Sequence, residues 1–202
     1  MGEIDIAINN AWGNVINKVK DDGYPMSSEK TLVFSFMMEL YKLLPNIKFD
    51  FEYQAYNDIS GKDKFLDLLI YLEEDHKVAL EFKLPKSING NNSNQTETRK
   101  NIYRDILRLN YLIENRVNNI KKAYFLCGVN ESAYLNKGNA TIYKACQVYN
   151  GYTVKRGTVL NIEEFNELPE LNRELKFEWR NIESNGSKNV VKGKFAWLKL
   201  KL

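Results

Sequence analysis

Residues 65–86 constrain the fold of this chain more than any other stretch. Leu66, Leu68, Ile70 and Leu72 fall at every second position, and so do Val78, Leu80, Phe82 and Leu84. Period-two apolar spacing marks strands with one wholly apolar face. Between the two runs, Glu73, Glu74, Asp75, His76 and Lys77 form a solvated reversal, so the strands are predicted to be antiparallel neighbours. Each apolar face then needs a covering layer. The opposite faces break the apolar rule. Asp67 stands beside Phe65 and Leu69 on the first strand, and Glu81 and Lys83 stand beside Ala79 on the second. If the strands pair, alternation points Asp67, Glu81 and Lys83 to one side of the sheet.

Two carboxylates on adjacent strands make a hard-oxygen site suited to Mg²⁺, with Mn²⁺ as a substitute, because Mg²⁺ is held by one or two carboxylates plus water and substrate phosphate. Such an ion polarises a phosphoryl oxygen. A lysine two residues after the second carboxylate can orient the attacking water or stabilise charge developing on phosphorus. The spacing Asp67, thirteen residues, Glu81-x-Lys83 resembles the PD-(D/E)XK nuclease superfamily, the restriction-endonuclease-like fold, with Leu66 where the namesake proline would stand. The resemblance covers roughly residues 27–130 and leaves the tail outside.

The resemblance implies an α/β fold with a mixed central sheet flanked by helices, and Mg²⁺-dependent hydrolysis of phosphodiester bonds in DNA. Asp67 and Glu81 would ligate the metal, helped by the backbone carbonyl of Phe82, and Lys83 would serve the attacking water or the phosphorane charge. In many relatives a glutamate on the helix before the sheet reaches the site, which makes Glu39 an auxiliary candidate. Its other reading is an ordinary neighbour of Lys42 on a solvated stripe. Glu29, in the first turn of the same helix, is read as a complement to the helix dipole. The helix after the Glu-x-Lys strand would lend Arg99, Lys100 and Arg104 to the phosphate. Each of these is also readable as part of a solvated face paired with Glu97 and Asp105.

Two rival readings stay open. One is the same fold with catalysis lost, holding DNA or another protein. The other is an unrelated α/β protein in which Glu-x-Lys is an ordinary solvated strand face. Charge bears on the first. Residues 173–202 carry eight Lys and Arg against three acids, a net of +5, which leaves −2 for the rest of a chain whose total is +3. A basic tail on a nearly neutral body is consistent with phosphate contact, and Lys192, Lys194, Lys199 and Lys201 are its candidates, with Trp197 against a base or sugar. An edge hairpin protected from aggregation by its lysines gives the same pattern.

The remaining elements follow in order. Helices are predicted over 3–20 and 29–44, the second apolar on most of its surface and bounded by Pro45. A strand is expected over 47–56. Residues 86–95 are rich in Asn and read as a mobile loop. A helix over 96–115 and a buried strand over 122–129 complete a β-α-β crossover, which requires a parallel neighbour. A short helix is expected over 141–149, a short strand over 157–162, a helical turn from Ile162, and an appended C-terminal β-hairpin over 173–202. Chain length fits one domain, 1–202.

His76 is the sole histidine and Cys127 and Cys146 are the only cysteines. That composition excludes zinc fingers, HNH-type nucleases and Ser-His or Cys-His catalysis unless His76 takes part. Two buried reduced thiols, no signal-peptide pattern and no membrane-length apolar run point to a cytoplasmic protein. Since each chain offers one candidate site, a C2 homodimer would serve both strands of a duplex. RNA is open to the same chemistry.

Overall fold

The computed structural model describes residues 2–57, 59, 64–72, 75–88, 91–138, 146–158, 168, 170–192 and 194–202. Helix α1 (Glu3–Asp21) is followed by α2 (Glu29–Leu43), which starts where the Ser28 side chain accepts a hydrogen bond from the Thr31 amide at 3.1 Å. That cap satisfies one of the orphan donors at the helix start. Strands β1 (Lys48–Gln54), β2 (Phe65–Tyr71) and β3 (Lys77–Lys83) form an antiparallel meander. Helix α3 (Gln95–Glu114), capped by Asn94, crosses over to β4 (Ile120–Val129), which lies parallel to β3.

The tail departs from the expected hairpin. Thr153–Val154 (β5) pairs with Leu175–Lys176 (β6), and Ile182–Asn185 (β7) pairs with Lys188–Val191 (β8). The last strand, β9 (Ala196–Lys201), leaves that hairpin and pairs antiparallel with β4. It completes a five-stranded mixed sheet of order β1-β2-β3-β4-β9. The physical reason is visible in its side chains. Trp197 and Leu198, on opposite faces of β9, are both buried, and a strand apolar on both faces belongs inside a layered structure. Trp197 packs edge-on to Trp12 of α1, with ring centroids 5.4 Å apart. Opposite it stands Gly128, where a Cβ would lie 2.6 Å from the Trp197 ring, so the residue must be glycine.

Helices α1 and α2 cover one face of the sheet, burying Leu68, Ile70, Val78, Leu80, Phe82 and Leu84 with Trp12 and Phe36. Helix α3 covers the other, where Leu69, Ala79, Phe125 and Cys127 meet Ile102, Ile106 and Leu109. Leu66, expected beside Leu68 and Ile70, joins the α3-side core instead. It lies next to an irregularity. Pairing of β1 with β2 reaches Phe51↔Leu68, skips one position, and resumes at Tyr53↔Leu66. At the skipped position Glu52 has a φ of 50°, in the left-handed region that costs a non-glycine residue about 1–2 kcal/mol.

The Asn-rich segment after β3 is tied down along its described part. Ser87 and Asn130 exchange two hydrogen bonds, from the Ser87 amide at 2.7 Å and back to its carbonyl at 3.1 Å. The buried Glu131 carboxylate accepts from the Ser93 amide at 2.9 Å and from Gln95 at 3.0 Å. Loop polarity here supplies partners for the end of β4. The predicted helix over 141–149 falls largely outside the described residues, and Cys146–Tyr149 are not helical. The predicted strand over 157–162 and the turn from Ile162 fall mostly or wholly outside them. Cys127 and Cys146 are buried free thiols, and among the described residues no helix is long and apolar enough to cross a membrane.

Candidate functional site

The site begins where the sheet comes apart. Pairing of β2 with β3 runs from Tyr71↔Lys77 to Leu68↔Leu80 and is not continued to Asp67 and Glu81. The Phe82 amide donates to Oδ2 of Asp67 at 2.7 Å. A side-chain carboxylate thus takes the place of a ladder carbonyl. On its other side Asp67 faces the kinked Glu52 of β1, so the ladders on both flanks are interrupted at this one residue. Irregular pairing of this kind re-aims side chains beside functional sites.

Glu81 is buried, with 3% of its surface exposed, and its Oε1 accepts a hydrogen bond of 2.7 Å from the Tyr56 hydroxyl. Tyr56 comes from the β1–β2 connection, and the Arg108 guanidinium of α3 lies over its ring at 5.0 Å. Lys83 is gripped from three directions. Its Nζ is 2.7 Å from Oδ2 of Asp105 on α3, 3.5 Å from Oε1 of Glu29 on α2, and 3.0 Å from the Phe82 carbonyl. The other oxygen of Glu29 accepts from the Leu84 amide at 3.1 Å, which pins the start of α2 to the end of β3.

Among the described residues, acids outnumber bases in this cluster. Burial pushes the Glu81 carboxyl well above its ordinary range, and the nearby charges of Asp67 and Asp105 add to the push, against Lys83 and the Tyr56 hydrogen bond. Burial likewise raises Asp105, although Lys83 opposes it, and raises Glu29, where Lys83 opposes and Asp67 and Asp105 reinforce. Burial works against the Lys83 ammonium, yet Asp105, Glu29, Asp67 and Glu81 together hold it firmly protonated. Among the described residues, four carboxyls therefore act on one lysine, with Arg108 as the next cation.

Such an excess of buried acid is satisfied by protons or by a divalent cation. Among the described residues, Oδ1 of Asp67 and Oε2 of Glu81 accept no hydrogen bond, so each carboxylate keeps one oxygen for an ion. Among those residues no three His, Cys, Asp or Glu side chains form a ready-made cage. Mg²⁺ does not need one, since it retains waters and shares substrate phosphate. The two hard carboxylate oxygens suit that ion, whereas the Phe82 carbonyl already accepts from the Lys83 ammonium at 3.0 Å.

Of the residues singled out in the sequence, the fold gathers Asp67, Glu81, Phe82 and Lys83. Glu39 lies elsewhere. Its buried carboxylate faces α1, bonded to Lys18, to Lys42 at 2.8 Å and to Asn14 at 3.3 Å. Burial raises its carboxyl, but the two lysines outweigh that and hold it below its usual range. The helix glutamate at the site is Glu29, ten positions earlier. Sequence reasoning also passed over Tyr56, Asp105 and Arg108.

Several basic candidates are engaged within the fold. Arg99 is buried, donating to the Ala133 carbonyl and lying 5.3 Å from the Tyr134 ring centre, because it falls on the inner stripe of α3 with Ile102 and Ile106. Arg104 bonds Asn101 at 2.6 Å and lies 4.0 Å from Glu97, and Lys100 is half-buried. Lys201 pairs with Asp5 at 2.9 Å, Lys192 is 3.9 Å from Glu183, Lys199 is half-buried and Lys194 is exposed. Trp197, packed on Trp12, has no face for a base.

By its architecture the chain is a mixed α/β protein with a five-stranded central sheet and, among the described residues, three α-helices. No protein-family model, no curated protein and no solved structure matches it.

Proposed function

We propose that this chain is a metal-dependent phosphodiesterase of the PD-(D/E)XK type that cleaves DNA, and that the Asp67–Glu81–Lys83 group is its active site. One observation carries the reading: Asp67 and Glu81 meet at a break in the sheet ladder, each with one oxygen uncommitted, while Lys83 is held beside them.

Asp67 and Glu81 would hold Mg²⁺ or Mn²⁺, and the Phe82 carbonyl would join them only on release of the Lys83 ammonium it now accepts from. The ion supplies Lewis-acid stabilisation of the charge that develops on the phosphoryl group. The chain's own residues do the rest. Phe82 N–H fixes Asp67, and Tyr56 fixes Glu81, so neither ligand must reorganise when substrate arrives. Lys83, kept protonated by its acidic neighbours, donates hydrogen bonds towards the attacking oxygen or the phosphorane oxygens. Asp105 and Glu29 hold that ammonium in place. The buried side of the cluster, Glu81 and Asp105, excludes water and strengthens these interactions.

Incubation of supercoiled plasmid, single strands, branched DNA and RNA with Mg²⁺ or Mn²⁺ tests the reading. Nicking that needs the ion and is lost in Asp67→Ala supports it. DNA binding without cleavage by the wild type would instead point to a binding module. Cutting of both duplex strands would call for two copies about a two-fold axis, checked by light scattering.

A further inference from the structure

Helix α2 is apolar on two sides, and the fold of one chain uses only one of them. Leu32, Val33, Phe36 and Leu40 are buried against the sheet and α1. Phe34, Met37, Met38 and Tyr41 follow the i, i+3, i+4, i+7 spacing of a second stripe. That stripe lies in water: Phe34 is 53% exposed, Met38 39% and Tyr41 46%, with Met37 half-buried. Phe51 of β1, 46% exposed, extends it. The cross-strand partner of Phe51 is Leu68, which is buried beneath α1 and α2, so Phe51 stands on the face that these helices cover. The Lys30–Glu52 ion pair at 3.1 Å brings the first turn of α2 to the same strand. A helix apolar on most of its surface belongs inside a structure, so the outer stripe calls for a cover.

Charge, strand geometry, symmetry and area all bear on what that cover is. The cations bordering the stripe are answered within the chain, Lys30 by Glu52 and Lys42 by Glu39 at 2.8 Å, which suits an apolar partner rather than an anionic one. Among the described residues β1 is an edge strand, but the left-handed Glu52 and the charge of Asp50 obstruct pairing with a further strand. A helix fits better. Phe34 and Tyr41 lie equally far from the midpoint between Met37 and Met38. A two-fold axis at that midpoint sets Phe34 over the partner's Tyr41 and Met37 over the partner's Met38, with the helix dipoles opposed. Large side chains carry about 150–250 Å² each, so the exposed parts of Phe34, Met38, Tyr41 and Phe51 amount to roughly 300–450 Å². That approaches the apolar share of the ~800 Å² per partner that a specific interface buries. The stems of Lys30 and Lys42 supply a rim.

We propose that a second copy of this chain covers the stripe, the two α2 helices packing antiparallel about a two-fold axis at Met37 and Met38. The inference does not depend on the proposed metal site.

Sedimentation velocity of the full chain in EDTA, from about 1 to 100 μM, tests it. A dimer should predominate at the top of that range, since interfaces of this size give Kd values of about 1 μM or below. Met38→Lys brings like charges together at the axis and should weaken the dimer by about 100-fold or more. The position is exposed and lysine is a good helix former, so circular dichroism should show an unchanged fold. Phe34→Glu and Tyr41→Lys should each be monomeric alone. Mixed, they should dimerise with one another, because the new acid of one copy meets the new base of the other while the second aromatic pair stays intact. A wild type that is monomeric throughout, or whose mass climbs past two copies without a plateau, overturns the proposal. So does a wild-type-like dimer in Met38→Lys. Two single variants that are monomeric alone and fail to associate when mixed overturn the antiparallel pairing.

Discussion

Two buried carboxylate clusters, one on each face of the sheet, are solved in opposite ways. On the α1 face, Asp5 is met by three donors. Tyr124 donates its hydroxyl, Lys122 lies at 3.1 Å and Lys201 at 2.9 Å. Burial pushes the Asp5 carboxyl up, but these three partners outweigh it and hold the group far below the usual carboxylate range. Glu39, between Lys18 and Lys42, follows the same pattern. On the α3 face, Glu81 and Asp105, joined by Glu29 reaching round the end of β3 from α2, surround Asp67 and a single lysine among the described residues, and all three are raised. A fold that balances Asp5 and Glu39 so fully is able to neutralise buried acids. Among the described residues the Glu81 cluster lacks that balance, which is the pattern the proposed cation site rests on. The first kind of cluster ties elements together, while in the second burial holds three carboxyls above their ordinary range.

The comparison can be broken in order of effect. In the proposed mechanism Lys83→Ala removes a transition-state contact and no metal ligand, so cleavage should fall by about 10²–10³-fold while Mn²⁺ binding persists. Plasmid nicking alongside calorimetry checks this, and an active variant would make Lys83 a bystander.

Asp5→Ala should cost about 2 kcal/mol in urea denaturation, since the buried Tyr124 hydroxyl loses its acceptor, and should leave cleavage intact. The pH dependence has a definite sign. A carboxyl depressed in the folded state adds stability above its unfolded value, and that stability is lost as pH falls through the folded one. Wild type should thus lose more stability than Asp5→Ala on acidification below about pH 4.

Glu81→Gln reverses that sign. A carboxyl raised in the folded state contributes stability below its unfolded value, which is lost as pH rises through the folded one. In EDTA, Glu81→Gln should match wild type near pH 4.5 and become more stable than it by about 1 kcal/mol or more at pH 8. A constant difference across that range would show that Glu81 is not strained.

The smallest effect separates the two α2 glutamates. Glu39→Gln should lower stability by under about 1 kcal/mol, because its lysine partners are substantially exposed, and leave cleavage unchanged. Glu29→Gln should reduce cleavage several-fold by loosening Lys83. Equal effects of the two on cleavage would erase the distinction.

Why sequence alone confused these glutamates is a matter of docking. Helical periodicity showed that α2 is apolar on most sides. Which turn meets the end of β3 depends on where the helix starts relative to the strand, and the Glu29–Leu84 bond sets that. The β2–β3 hairpin and the β3-α3-β4 crossover were legible because strict alternation and the 3.6-residue period leave few other solutions. Asp105 and Arg108 were not, since charged residues on a helix read as solvated when their buried partners are unknown. The same ambiguity put Arg99 on the surface. Strand β9 was read as half of a hairpin because its lysines alternate, and the apolar Trp197 on the same side was the overlooked sign that this side is covered.

The central claim is that the unbalanced cluster is a cation site, and thermal unfolding with added Mn²⁺ tests it most directly. A cation that binds only the folded state adds RT ln(1 + [L]/Kd), roughly 2.7 kcal/mol at a hundredfold excess over Kd. The account predicts a saturating rise in Tm that Asp67→Ala and Glu81→Ala each largely abolish, and that Asp5→Ala and Glu39→Gln keep in full. A saturating rise that survives the loss of both Asp67 and Glu81, or no rise in the wild type at any Mn²⁺ concentration, would contradict it.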